Sequence, residues 1–182
     1  MKSKKTTRIA LALPLGLAYM EGVLRGFLDF AREKPGWTAV TLPEQLTPSM
    51  EWLRHCQCDG ALLSITTRRD LEIARSLAIP VVNLTAYFGD MSVPTIMVDH
   101  RRIGALAAQH LVEQNFRRFG YYGLRDIHYS EMRRSAFIET LEKAGGTCSS
   151  LTVPTGITTG RQIRLNEERL LAWLGTLKTP VG

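Results

Sequence analysis

Residues 98–123 read VDHRRIGALAAQHLVEQNFRRFGYYG, and the way this stretch divides decides the fold. Thr95, Ile96, Met97 and Val98 lead into it as a strand that stops at a single carboxylate, Asp99. A helix over residues 101–113 is predicted next, with Ile103, Leu106, Ala107, His110 and Leu111 at the spacing that gathers side chains on one helical face. Asn115 falls near its end, where a left-handed residue commonly stops a helix. Arg117 and Arg118 close the turn, and residues 119–123 read as the next strand. Strand, helix and strand in about thirty residues is the size of a right-handed parallel crossover. Open parallel sheets place ligand contacts at the carboxyl ends of their strands, which is where Asp99 stands.

The same alternation runs outward in both directions. Residues 8–13 form an apolar strand ended by Pro14, followed by a helix over 18–32 with Met20, Val23, Leu24, Phe27 and Ala31 as its stripe. Lys34-Pro35-Gly36 stop that helix before a second strand at 37–41. A short helix at 49–57 turns Trp52 and Leu53 inward, and Asp59-Gly60 is a turn signal before a strand at 61–65. A helix at 68–77, a strand at 80–84 and a loop with Gly89, Asp90, Ser92 and Pro94 complete the approach. Beyond Gly123 the pattern restarts: helix 130–144, Gly145-Gly146, strand 147–153, a Gly/Thr loop, helix 162–177, and the start of a strand or turn at 179–182. The fold class expected is α/β, a parallel sheet with helices on both faces.

Bulk properties narrow the function. A chain of 182 residues and 20.4 kDa can bury a substantial core, and 45% apolar with 22% charged residues is ordinary for a globular protein. No apolar run is long enough for a transmembrane helix. The net charge of +6 comes from Lys2, Lys4, Lys5 and Arg8 and from dispersed pairs such as Arg101-Arg102, Arg117-Arg118 and Arg133-Arg134, a solvated surface and not one nucleic-acid patch. Three cysteines, an odd number, argue against a disulfide framework and for a reducing compartment, hence a cytoplasmic location. Residues 1–20 have a basic start and an apolar run that imitate a secretory signal; cleavage there would take away the strand on which the first helix packs.

Residues 98–123 also resemble a known family. The pattern VD-(N/H)-x3-G-x2-A-x2-HL, followed by a basic turn, a strand and a glycine, is similar to the effector-binding domain of LacI/GalR-type regulators, which is of the type I periplasmic-binding-protein type. Asp99, Gly104, Ala107, His110, Leu111, Arg118 and Gly123 carry it, with Asn115 where the family usually has glycine. The resemblance covers essentially the whole chain and implies two lobes: residues 1–123 as lobe one and 124–182 as the start of an incomplete lobe two. It also implies a longer protein. With only seven residues before Arg8, the order of parts resembles the xylose-operon regulators, in which an AraC-type DNA-binding domain follows the sensor.

From the resemblance come the site expectations. Arg133-x-x-Ala136-Phe137 is similar to the family's Arg-x-x-Gly-Phe motif, whose arginine reaches the ligand, and the five donors of a guanidinium suit sugar hydroxyls or a carboxylate. Asp99 is a second candidate contact, equally suited to capping the helix after it. Tyr19 could stack on the apolar face of a sugar ring or serve in the core, while Ser64 and Asn83 end strands where short polar groups can meet a ligand. His100 falls on the solvent side by pattern. The expected ligand is a small, pentose-like sugar held between the lobes, with operator DNA bound through a domain outside the chain. The helix at 101–113 would lend Arg101, Arg102, Ala105 and Gln109 to a homodimer interface.

Other chemistry is poorly supported. His55, Cys56, Cys58 and Asp59 lack the Cys-x2-Cys spacing of tetrahedral zinc and have no second pair, so no metal is expected. The chain has no Gly-x-Gly-x-x-Gly after the first strand, no phosphate loop and no Gly-x-Ser-x-Gly. Neither a cofactor nor an enzyme is expected. Two alternatives stay open: an extracytoplasmic solute-binding receptor of a transport system, and a small flavodoxin-like enzyme.

Overall fold

The computed structural model describes residues 6–34, 36–41, 49–90, 92–155 and 160–182, in two compact units, Met1–Met97 and Val98–Gly182. Lys2, Lys4, Lys5, Pro35 and most of the loop before the last helix lie outside the described residues.

The first unit is a four-stranded parallel sheet. Its elements in chain order are β1 (Thr7–Ala12), α1 (Ala18–Glu33), β2 (Trp37–Val40), a 3-10 turn at Met50–Arg54, β3 (Gly60–Leu63), α2 (Arg68–Ser76) and β4 (Val81–Asn83). The strands lie in the order β2-β1-β3-β4, which makes the apolar segment near the amino terminus a central strand. Successive side chains of a strand point to opposite faces, and β1 buries both. Ile9, Leu11 and Leu13 pack with Met20 and Phe27 of α1 on one side. Ala10 and Ala12 pack on the other with Leu63, Ile65, and Leu71, Ile73 and Ala74 of α2. The helix α2 starts at a capping box, Thr67 and Asp70 each accepting the other's backbone N–H. The Asp59 carboxylate accepts the Arg8 N–H at 2.8 Å, so the residue expected to make a turn also secures the start of β1.

The second unit holds α3 (His100–Glu113), β5 (Arg118–Leu124), α4 (His128–Lys143), β6 (Thr147–Val153) and α5 (Gly160–Thr176). β5 and β6 pair in parallel from Arg118↔Thr147 to Leu124↔Val153, and Gly182 exchanges two backbone hydrogen bonds with the other edge of β5, at Arg118 and Gly120. Ala108, Phe119, Phe137 and Leu141 form the core. Asn115 has φ 65° and ends α3 as expected.

Several expectations need correction. The strand at 95–98 is reduced to one parallel bridge, Thr95 with Asn83, because three-residue β4 offers no further length to pair. The compact units divide between Met97 and Val98, not at Gly123: α3 packs along α4, and β5 pairs with β6, so α3 and β5 both belong to the second unit. The packed face of α3 is His100, Gly104 and Ala108, while Ile103 and Leu106 are 39% and 46% exposed. Small residues mark that contact because the helix backbones come close. A Cβ on Gly104 would collide with the Arg133 carbonyl oxygen. Cys56 and Cys58 lie side by side with one residue between them, a contact that closes no long loop and builds no disulfide framework.

Candidate functional site

In the first unit, β1 is followed in the chain by β2 on one side, while β3 pairs on its other side. Such a change of direction opens a crevice at the carboxyl ends of the two central strands. Tyr19, in the first turn of α1 beyond the end of β1, is 48% exposed. Ser64, just past β3, is buried, with its N–H donating to the Ala12 carbonyl at 3.0 Å. Asn83 is also buried, but its amide is already engaged. Its oxygen accepts from the Ile65 N–H at 3.2 Å and from the Thr85 N–H and hydroxyl, and its nitrogen donates to the Thr85 carbonyl at 2.6 Å and to Thr95 Oγ1. Asn83 therefore ties β4 to the segment after Ser64, a supporting role in place of a free polar group.

In the second unit the candidates meet at the start of α3. Asp99 Oδ1 accepts the Arg102 N–H at 2.8 Å, so Asp99 is the helix N-cap. His100, expected on the solvent side, is only 6% exposed. Its Nδ1 accepts the Nε–H of Arg133 at 3.1 Å, which requires a neutral ring with its proton on Nε2. Burial holds the His100 pKa below the usual imidazole range, helped by Arg133 and His128 and opposed by Asp99. Tyr129 packs against both: its ring centroid is 5.5 Å from that of His100 and 5.3 Å from Arg133 Cζ. The terminal nitrogens of Arg133 take no partner among the described residues. The adjacent Arg134 is spent on Glu131 one turn away, at 2.7 Å.

Arg133, His100 and Asp99 thus come together at one end of the α3–α4 pair, and Tyr129 joins them. The sequence pattern places His100 on the solvent side and does not single out Tyr129. Tyr129 stands four residues before Arg133, the spacing that stacks two side chains on one helical face, and that signal was available. Of the residues expected at a dimer interface, Arg101 pairs with Glu139 at 2.6 Å, Arg102 and Gln109 are exposed and Ala105 is half-buried. No three His, Cys, Asp or Glu side chains gather to hold a metal among the described residues. No helix among them is long and apolar enough to cross a membrane.

The family model described as periplasmic binding proteins and sugar binding domain of LacI family matches residues 39–172. No curated protein sequence matches the chain. Among solved structures, the xylose-binding transcription activator xylR superposes with a TM-score of 0.73 at 20% identity, over 100% of this chain and 47% of the other. The transcription regulator CcpA of Lactococcus lactis gives 0.69 at 18%, over 92% and 65%. A solute-binding protein of an ABC transporter from Burkholderia multivorans gives 0.68 at 15%, over 97% and 69%. At these identities the fold is what is shared, and the chain spans about half to two thirds of the length of these structures.

Proposed function

Since the chain belongs to the family of periplasmic binding proteins and LacI-type sugar-binding domains, we propose that it is the sensor part of a transcription regulator, with a small pentose-like sugar as effector. The observation that carries this reading is Arg133, whose guanidinium is held by His100 and Tyr129 while its terminal nitrogens take no partner among the described residues. A planar set of donors in a partly dry setting suits vicinal hydroxyls, which accept two hydrogen bonds side by side. Asp99 offers an acceptor beside it in the same unit; within the first unit, Tyr19 at the start of α1 and Ser64 just past β3 are the residues suited to meet a polar ligand. Asn83 supports that edge without touching the sugar. Ligand binding would favour one arrangement of a homodimer, through Arg101, Arg102, Ala105 and Gln109, and so control operator DNA held by a domain outside the chain. Such a regulator works in the cytoplasm and catalyses nothing.

A second reading, a solute-binding receptor of a transport system, is favoured by the likeness to the Burkholderia protein. The two share a ligand but differ in output. Calorimetric titration of the purified protein with D-xylose, D-ribose and L-arabinose tests the shared part, and an operator-release assay on the full-length protein separates them. Saturable binding of a pentose that is lost in Arg133→Ala is expected. Wild-type affinity in that variant would remove Arg133 from the site.

A further inference from the structure

Arg133 is half-buried on α4, and its guanidinium is not free to turn. One of its nitrogens, Nε, donates to a buried imidazole on a different helix, and a phenol ring lies against its carbon. The imidazole in turn cannot move. His100 is the first residue of α3, fixed by the Asp99 cap before it and by the close contact of Gly104 with the Arg133 backbone one turn later. Two independent features therefore converge on the same side chain: a backbone contact that sets where α4 lies, and a hydrogen bond that sets where the guanidinium points.

From this we infer that His100 is the positioning residue for Arg133, and that sugar affinity is gated by the protonation of its imidazole. Neutral His100 accepts the Nε–H and leaves the two terminal nitrogens aimed at the ligand. On protonation Nδ1 carries a hydrogen, the acceptor is gone, and two cations face each other across 3.1 Å. The guanidinium then swings away and its donors are no longer presented as a plane. The charged groups facing the ring agree with this order of events: Arg133 and His128 from α4 disfavour the proton, and Asp99 beside it favours it. A site of this kind still holds ligand through the ordinary imidazole range and releases it only as the pH falls through the lowered value. The sign follows from the depressed value: the neutral form is the one the folded site prefers.

The inference rests on Arg133 being a ligand contact, so its test has one arm with sugar and one without. In the arm without sugar, nitrogen NMR of the imidazole in the wild-type protein reports which nitrogen bears the proton and where the ring titrates. The expected result is a proton on Nε2 and a midpoint below the ordinary value that rises in Arg133→Met. An ordinary midpoint, unmoved by Arg133→Met, overturns the inference whatever sugar the protein binds. In the second arm, the pentose that binds is titrated at about pH 7.5 and about pH 5. Wild-type affinity should fall roughly tenfold on acidification. His100→Asn, which keeps an acceptor near the place of Nδ1 but cannot gain a proton in this range, should bind with a flat profile. A wild-type pH profile in His100→Asn also overturns the inference. If no pentose binds while the NMR result stands, the sugar reading fails and the positioning of Arg133 by His100 survives.

Discussion

β1 is a central strand of its sheet and α3 packs along α4 by one face, and the two are buried by opposite means. β1 lies between two strands and sends Ile9, Leu11 and Leu13 to one helix layer and Ala10 and Ala12 to the other. Its burial comes from large side chains that fill space. α3 lies along another helix and meets it through Gly104 and Ala108, with the imidazole of His100 at the end of the row. Its burial comes from the absence of side chains, which lets the backbones approach. In the first region apolar volume holds the scaffold together. In the second, a missing Cβ fixes the relation between two helices and, with it, the aim of one arginine.

Removing volume and adding volume should therefore hurt in different places. Leu63→Ala, in the fully buried layer beneath α2, is expected to cost about 2–5 kcal/mol, read by denaturant unfolding. A loss well below that would mean the sheet layer can collapse around the gap. Gly104→Ala adds a single methyl where the Arg133 carbonyl already sits. It should cost about 1–3 kcal/mol and weaken sugar binding as well, because Arg133 moves with its helix. Unchanged binding there would separate the helix contact from the site. Gly22→Ala is the control within α1. Nothing lies within 4 Å of the added atom, so the same substitution should raise stability by about 0.5–1 kcal/mol on the same denaturant curve. The smallest effect is expected at the exposed Arg101–Glu139 pair, where Arg101→Ala should shift stability by less than about 1 kcal/mol while leaving sugar affinity alone. A large loss would mean that this pair helps to hold α3 on α4.

The same contrast decides how much of the chain could be read from its residues alone. The volume-filled region was plain: the helix expected over 18–32 is Ala18–Glu33, and β6 runs over Thr147–Val153 as expected. Local backbone signals were equally plain. Asn115 takes the left-handed conformation, and Asp99 caps the helix, one of the two roles its position suggested. The face of α3 was misread because apolar periodicity weighs Ile103 and Leu106 above Gly104 and Ala108, whereas close helix contact selects for smallness. The misreading hid His100, which lies on the packed side four residues before Gly104. Asn83 illustrates a second limit. Its place at a strand end was legible, but only the three-dimensional arrangement reveals that Ile65, Thr85 and Thr95 take up its amide. Arg133 stood out by motif, yet what orients it comes from a different helix, a contact 33 residues away in sequence.

The most direct test of the sensor reading is nitrogen NMR of the Arg133 guanidinium during a D-xylose titration of the intact protein, with D-ribose and L-arabinose run alongside. The expected result is a saturable shift of the terminal nitrogens with one of these sugars, at the midpoint that calorimetry gives for the same sugar, while the Nε–H stays hydrogen-bonded to His100. A pentose that binds without moving those signals would contradict the placement of Arg133 in the site. No binding of any of the three would contradict the pentose reading itself.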